Sequence, residues 1–165
     1  MSKSATTGES DWEMDLKRTL PLFGHRNWIV VADAAYPAQS KAGIETVVCG
    51  AGQTEAVGKV LRAIEACTHV RAKVYVDAEL SHVTEKDAPG IGAYRAELEK
   101  LLDGAAVKRI PHEEIIYKLD ASAAVFNILI LKTTLTIPYT SVFFELDCGY
   151  WSAEAEARLR ASIPA

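Results

Sequence analysis

Five consecutive apolar residues, Trp28-Ile29-Val30-Val31-Ala32, constrain this chain more than any other stretch of it. A run of that length with this β-branched content suits a strand buried on both faces, as in a parallel sheet. Polar residues bracket it. Gly24-His25-Arg26-Asn27 leads in and Asp33-Ala34-Ala35-Tyr36-Pro37 leads out. Asp33 falls at the strand's carboxyl end, and ligands of open α/β sheets usually sit in the crevice outside that edge. His25 and Asp33 are therefore the first candidates for a site. They flank a strand about 20 Å long at ~3.3 Å per residue, which keeps them apart within one subunit.

The rest of the chain alternates strands with helices. Ser10-Asp11-Trp12-Glu13 has the spacing of a capping box. Behind it Trp12, Leu16, Leu20 and Phe23 predict a short amphipathic helix that Pro21 kinks or ends. Strands are predicted over Trp28–Ala34, Ile44–Gly50, Arg71–Ala78, Ala106–Ile110, Ala124–Lys132 and Ser141–Cys148. Val57, Val60, Leu61, Ile64 and Cys67 line one face of a helix from about Gln53 to Thr68. Ile91, Tyr94, Leu98, Leu101 and Leu102 mark another, which Gly104 is placed to end. A third runs from His112 to about Ser122, with Pro111 in its first turn. In Ser152–Ile163 the pairs Glu154/Arg158 and Glu156/Arg160 and a stripe of Ala155, Leu159 and Ile163 predict a terminal helix. That helix is expected to pack on the sheet's edge or on a neighbouring subunit. The alternation predicts an α/β fold with a mostly parallel sheet.

Composition excludes several classes. At 165 residues the chain suits one domain with a full-sized core. A net charge of −4 gives no reason to expect nucleic acid or an anionic membrane surface as partner. No apolar run approaches the ~20 residues of a membrane helix. Residues 1–9 are polar and small, expected to be a disordered leader and unlike a signal peptide, so a cytoplasmic location is expected. Three cysteines without CxxC spacing are expected to be buried free thiols. P-loop lysine, HExxH and G-x-S-x-G motifs are absent, and His69 and His82, in separate loops, are expected at the surface. No metal or cofactor is expected.

Four polar positions, His25, Asp33, His112 and Tyr139, fall at strand ends or in loops. An imidazole titrates near neutral pH and both takes and gives a proton. A carboxylate orients that imidazole or a substrate hydroxyl, and a phenol donates to an oxygen gaining charge. A separate alternative is a dinucleotide turn at Gly50-Ala51-Gly52, with Asp77 ending the next strand as the ribose-binding acid. Glu55 counts against it, since a carboxylate there would repel a pyrophosphate at the helix N-terminus.

Gly24-His25, a strand ending Asp33-Ala34-Ala35-Tyr36-Pro37, Pro111-His112-Glu113-Glu114 at a helix start and a late Tyr139 resemble the D-ribose pyranase and L-fucose mutarotase (RbsD/FucU-like) family. The resemblance runs in order from about Leu20 to Gly149. It implies a three-layer α/β/α sandwich and a sugar-binding domain over 10–151, to which the predicted helix in 152–165 is an extra C-terminal extension. It also implies a homo-oligomer, a pentamer or a decamer of stacked pentamers, with the sugar at subunit interfaces. By position, His25 would be the principal acid/base, reaching a neighbour's site. Asp33 and Tyr139 would join it in catalysis, and His112, Ser141 and Asp120 would contact substrate. The expected reaction is cofactor-independent interconversion of anomers, or of pyranose and furanose, of a ribose- or fucose-like monosaccharide. Ser141 stands where the family usually has Asn, and Ile116 where its ribose branch has a basic residue. Both substitutions raise the alternative of a protein that binds a sugar without turning it over.

Overall fold

The computed structural model describes residues 10–165, and the leader expected over 1–9 lies outside them. In chain order the elements are α1 (Asp11–Thr19), β1 (Trp28–Ala32), β2 (Ile44–Val48), α2 (Gln53–Glu65), β3 (Val70–Asp77), α3 (Ile91–Leu101), β4 (Val107–Ile110), α4 (His112–Ala123), β5 (Ile128–Lys132), β6 (Val142–Cys148) and α5 (Ala153–Ser162). A 3-10 turn, Ala78–His82, follows β3 directly. The strands form one six-stranded sheet in the order β2-β5-β1-β6-β3-β4. All pairings are parallel except those of β6, which runs antiparallel to both β1 and β3.

Helices cover both faces, giving the expected three layers. The apolar faces of α1, α2 and α3 pack with Ile29 and Val31 on one side of the sheet. Ile115, Leu119 and Ala123 of α4 pack with Trp28, Val30 and Ala32 on the other. Every residue of β1 is fully buried, so its unbroken apolar run reflects two cores meeting at one strand. Each Ile or Val side chain there stabilises by roughly 1.5–3 kcal/mol relative to exposure. The one polar atom of β1's side chains is satisfied, since Trp28 Nε1 donates to Ser122 Oγ at 3.1 Å. Gly104, at φ +80°, takes the left-handed conformation expected after α3.

Several boundaries differ from the sequence reading. β5 begins at Ile128, because Val125 and Phe126 N–H both turn back to Ser122 O and close α4. An apolar run crossing a helix end into a strand hides that boundary from periodicity. Ser10 precedes α1, but its hydroxyl donates to Glu13 Oε1 at 2.9 Å and accepts no backbone amide, so the capping box is half formed. His69 is half-buried rather than solvated. Its Nε2 lies 2.9 Å from Leu20 O and 3.1 Å from Phe23 O, tying the end of α1 to the start of β3. The three cysteines are free and only half-buried. α5 is capped by Ser152 Oγ, which accepts from Ala155 N at 3.0 Å, yet it buries none of its residues, and Leu159 and Ile163 stay exposed.

Gln53, the first residue of α2, anchors the sheet's carboxyl edge. It is buried, and its Nε2 donates to Val31 O and Thr140 O, both at 2.9 Å. Its Oε1 accepts from Thr133 Oγ1 at 2.7 Å, so one amide joins the end of β1, the end of β5 and the approach to β6. Gln53→Leu should cost about 1–3 kcal/mol for each carbonyl left without a donor. Urea unfolding will measure it, and a variant within ~0.5 kcal/mol of wild type, the scatter of an ordinary surface change, would contradict this role.

Candidate active site

The sheet's carboxyl edge collects the polar residues. β1 ends before Asp33, β3 ends in Asp77 and β4 leads through Pro111 to His112. Because β6 is antiparallel, its beginning, Ser141, comes to the same edge. There a cavity of about 410 Å³ opens, with Asp33, Tyr36, Asp77, His112, Ile116 and Tyr139 in its wall.

Asp33 and Ser141 clasp each other. The Ser141 hydroxyl donates to Asp33 Oδ1 at 2.8 Å, and Asp33 N–H donates to Ser141 Oγ at 3.2 Å. Pro138 delivers Tyr139 in a left-handed conformation, φ +58°, which a side-chain-bearing residue adopts only where its surroundings hold it. Its ring meets His112 edge-on, with centroids 5.8 Å apart. Tyr36 is buried and its phenol is pushed up to about 12, chiefly by desolvation, so it stays neutral as a donor.

His112 opens α4, where the first N–H groups lack intrahelical partners. The Glu79 carboxylate takes the His112 N–H, at 3.0 and 3.1 Å to its two oxygens. The ring's Nδ1 lies 3.0 Å from Asp77 Oδ1, which leaves Nε2 as the second ring nitrogen at the cavity. Asp77 is 1% exposed, and its Oδ2 has no hydrogen-bond partner among the described residues. Burial raises the Asp77 pKa, although the bond to His112 opposes it. The bond to Asp77 raises the His112 pKa against its own desolvation, with Glu113 and Glu79 adding to it. Both groups therefore sit above their ordinary values, Asp77 through burial and His112 through its bond to Asp77.

Of the six residues expected in the site, Asp33, His112, Tyr139 and Ser141 come together at this edge. Asp120 does not line the cavity. Its carboxylate faces Lys41 Nζ at 3.6 Å and is half exposed. His25 lies at the opposite edge, half exposed, with Nδ1 2.8 Å from Asp147 Oδ1. Sequence reasoning missed Asp77 as the partner of His112. The available signal was an acid closing the apolar Val74-Tyr75-Val76, the same pattern as Asp33 behind β1. The dinucleotide alternative loses its acid, because β5, β1 and β6 separate β2 from β3. That places Asp77 about 20 Å from the glycine turn, at ~4.8 Å per strand.

These features define an α/β/α sandwich with acid–base groups gathered in a cavity at the carboxyl edge of its sheet. Residues 12–147 match the RbsD / FucU transport protein family, and the chain belongs to that family. Its structure is similar to that of Bacillus subtilis RbsD complexed with D-ribose, with a TM-score of 0.56 and 21% identity over 89% of this chain and 98% of that one. It is also similar to the fucose mutarotase of Streptococcus pneumoniae in complex with L-fucose, with a TM-score of 0.52 and 21% identity over 81% and 91% of the two chains. FucU from Bifidobacterium longum gives 0.52 and 15% identity over 81% and 94%. A search of curated proteins gave no match. No helix among the described residues is long and apolar enough to cross a membrane.

The His112 shift has a fixed sign. A histidine raised in the folded state contributes stability that is full below its unfolded pKa, ~6.5, and is lost as pH rises through the folded value. Asp77→Asn removes the carboxylate that raises it. The stability advantage of wild type over Asp77→Asn should therefore shrink between about pH 6.5 and the folded pKa of His112. Urea melts across pH 5–9 will show this, and an advantage that grows with pH would refute it.

Proposed function

We propose that this chain is a cofactor-independent monosaccharide mutarotase or pyranase, acting on a ribose- or fucose-like sugar. The observation that carries this reading is the convergence of Asp33, His112 and Tyr139 on one cavity in a chain of the RbsD/FucU family. The relatives in complex with D-ribose and L-fucose support a monosaccharide as ligand. In this reading residues 10–151 form the sugar-binding domain, and the active form is a homo-oligomer, a pentamer or decamer. His25 then enters the site of a neighbouring copy.

Interconverting ring forms opens and recloses a hemiacetal. His25 takes the proton of the anomeric hydroxyl. The O–H electron pair becomes the carbonyl bond as the bond from C1 to the ring oxygen breaks. That oxygen takes a proton from a donor facing the cavity, the Tyr139 phenol or the His112 imidazolium. Reclosure on either face of the carbonyl reverses these transfers. Asp33, locked by Ser141, accepts from a sugar hydroxyl and sets the ring's orientation. Positioned groups of this kind supply ~10²–10⁴-fold, enough to matter for a reaction that also proceeds unaided in water.

Magnetisation-transfer NMR on D-ribose, L-fucose and other monosaccharides will test this. Wild type should accelerate exchange, and His25→Ala and Asp33→Ala should each lose about 10²-fold or more. Mixed oligomers of the two variants should regain activity, because some interfaces pair intact residues from different copies. Sugar-dependent thermal stabilisation without exchange would instead identify a binding protein, as the apolar Ile116 in the cavity wall would favour. Neither stabilisation nor exchange with any sugar overturns both readings.

A further inference from the structure

His25 has a built environment of its own at the edge of the sheet away from Asp33. Asp147, near the end of β6, is 15% exposed, and its two oxygens serve different partners. Oδ2 accepts from Arg71 Nη2 and Nε at 3.0 and 3.3 Å, while Oδ1 accepts from Cys148 N–H at 2.9 Å and meets His25 Nδ1 at 2.8 Å. Arg71 is held in turn by Trp151, whose carbonyl accepts from Nη2 at 3.0 Å. We propose that Arg71 and Asp147 are positioning residues for His25, holding its proton on Nδ1 and leaving Nε2 as the nitrogen that exchanges protons with the substrate. The proposal rests on the reading of His25 as an acid/base and specifies how that residue is prepared for the task.

An exposed imidazole free of partners divides its proton between two nitrogens and turns about two side-chain torsions. Either freedom puts the wrong atom at a reacting hydroxyl for part of the time. Asp147 removes both. An ionised carboxylate only accepts hydrogen bonds, so the facing Nδ1 must carry the proton. Asp147 stays ionised because Arg71, the Cys148 amide and Lys73 outweigh the cost of burial and hold its pKa below the ordinary carboxylate range. Arg71 suits the second place in the line, since its guanidinium puts two donors on Oδ2 and keeps a third direction for the Trp151 carbonyl.

The last link lies outside the family match, which ends at residue 147. Trp151 and α5 enclose a second cavity of about 730 Å³ on which His25, Arg71 and Lys73 also open. The indole is fixed there, since its Nε1 donates to Glu156 Oε2 at 2.7 Å, and Glu156 is held by Arg160 Nε at 2.6 Å. The C-terminal extension thus braces the arginine that braces the aspartate. The charged groups that line this cavity with His25 are Asp147 and Glu156 on the acidic side, with Arg26, Arg71, Lys73 and Arg160 on the basic side.

Nitrogen-15 NMR of the full-length labelled protein reads the tautomer directly. Wild type should show neutral His25 with its proton on Nδ1 alone, whereas Asp147→Ala should show a mixture of tautomers. Arg71→Gln, a change at a half-exposed side chain, should move the pattern the same way and serves where Asp147→Ala fails to fold. Sugar exchange should fall at least tenfold in Asp147→Ala, within the ~10²–10⁴-fold a positioned acid–base group supplies. A wild-type tautomer pattern retained in both variants would overturn the proposal. The outcomes separate the two claims: an unchanged rate in His25→Ala defeats the acid/base reading, while the tautomer spectrum alone decides whether Arg71 and Asp147 set the ring.

Discussion

The direction of β6 is the constraint on which the rest depends. It lies between β1 and β3 and runs against both, with Trp28 opposite Glu145 and Val31 opposite Val142. Its first residues therefore adjoin the end of β1, where Ser141 meets Asp33, and its last residues adjoin the beginning of β1, where Asp147 meets His25. Reversed, the strand would send Ser141 and Asp147 to the wrong edges. The chain reaches β6 by a short path. β5 ends at the carboxyl edge beside β1, and residues 133–141 step over the end of β1 to start β6 on its far side. The step is fastened by Thr133 N–H to Ala32 O at 2.8 Å and Ala34 N–H to Leu135 O at 2.8 Å. Tyr139 rides on it, which is why a residue seven positions beyond the end of β5 faces His112.

The two histidines illustrate how the same pair of residue types differs with its third partner. At both, Nδ1 faces an aspartate, at 3.0 Å for His112 and 2.8 Å for His25. Asp77 is buried, and among the described residues His112 is the cationic partner it meets, so the proton it shares with His112 is its compensation for lost water. Asp147 has Arg71 for that purpose, with Lys73 also within 3.9 Å. One pair is built to hold a proton, and the other has its charge answered from elsewhere.

Much of this was legible in the sequence, for physical reasons. β1 announced itself because two cores leave no room for a polar residue, and Asp33, His112 and Tyr139 could be picked out because each follows or precedes a strand at its end. The Asp77–His112 bond spans 35 residues and depends on β3 and β4 pairing in parallel, which no local pattern records. Strand order is likewise not a local property, and the spacing from Gly50 to Asp77 carries no sign that three strands lie between β2 and β3. His69 and α5 misled in opposite ways. A histidine in a polar loop found two carbonyls to hold, whereas an apolar stripe on a terminal helix found no core to enter.

The lack of buried residues in α5 sets its timescale. Amides of β1 are shielded by both cores and by strands on either side, so they exchange with solvent hydrogen only when the whole sheet opens. Those of α5 are protected by one cap and the helix's own bonds, so they exchange through local fraying at a small fraction of that free energy. The helix that holds Glu156 against Trp151 should therefore exchange its amides well before the strand that separates the two histidines.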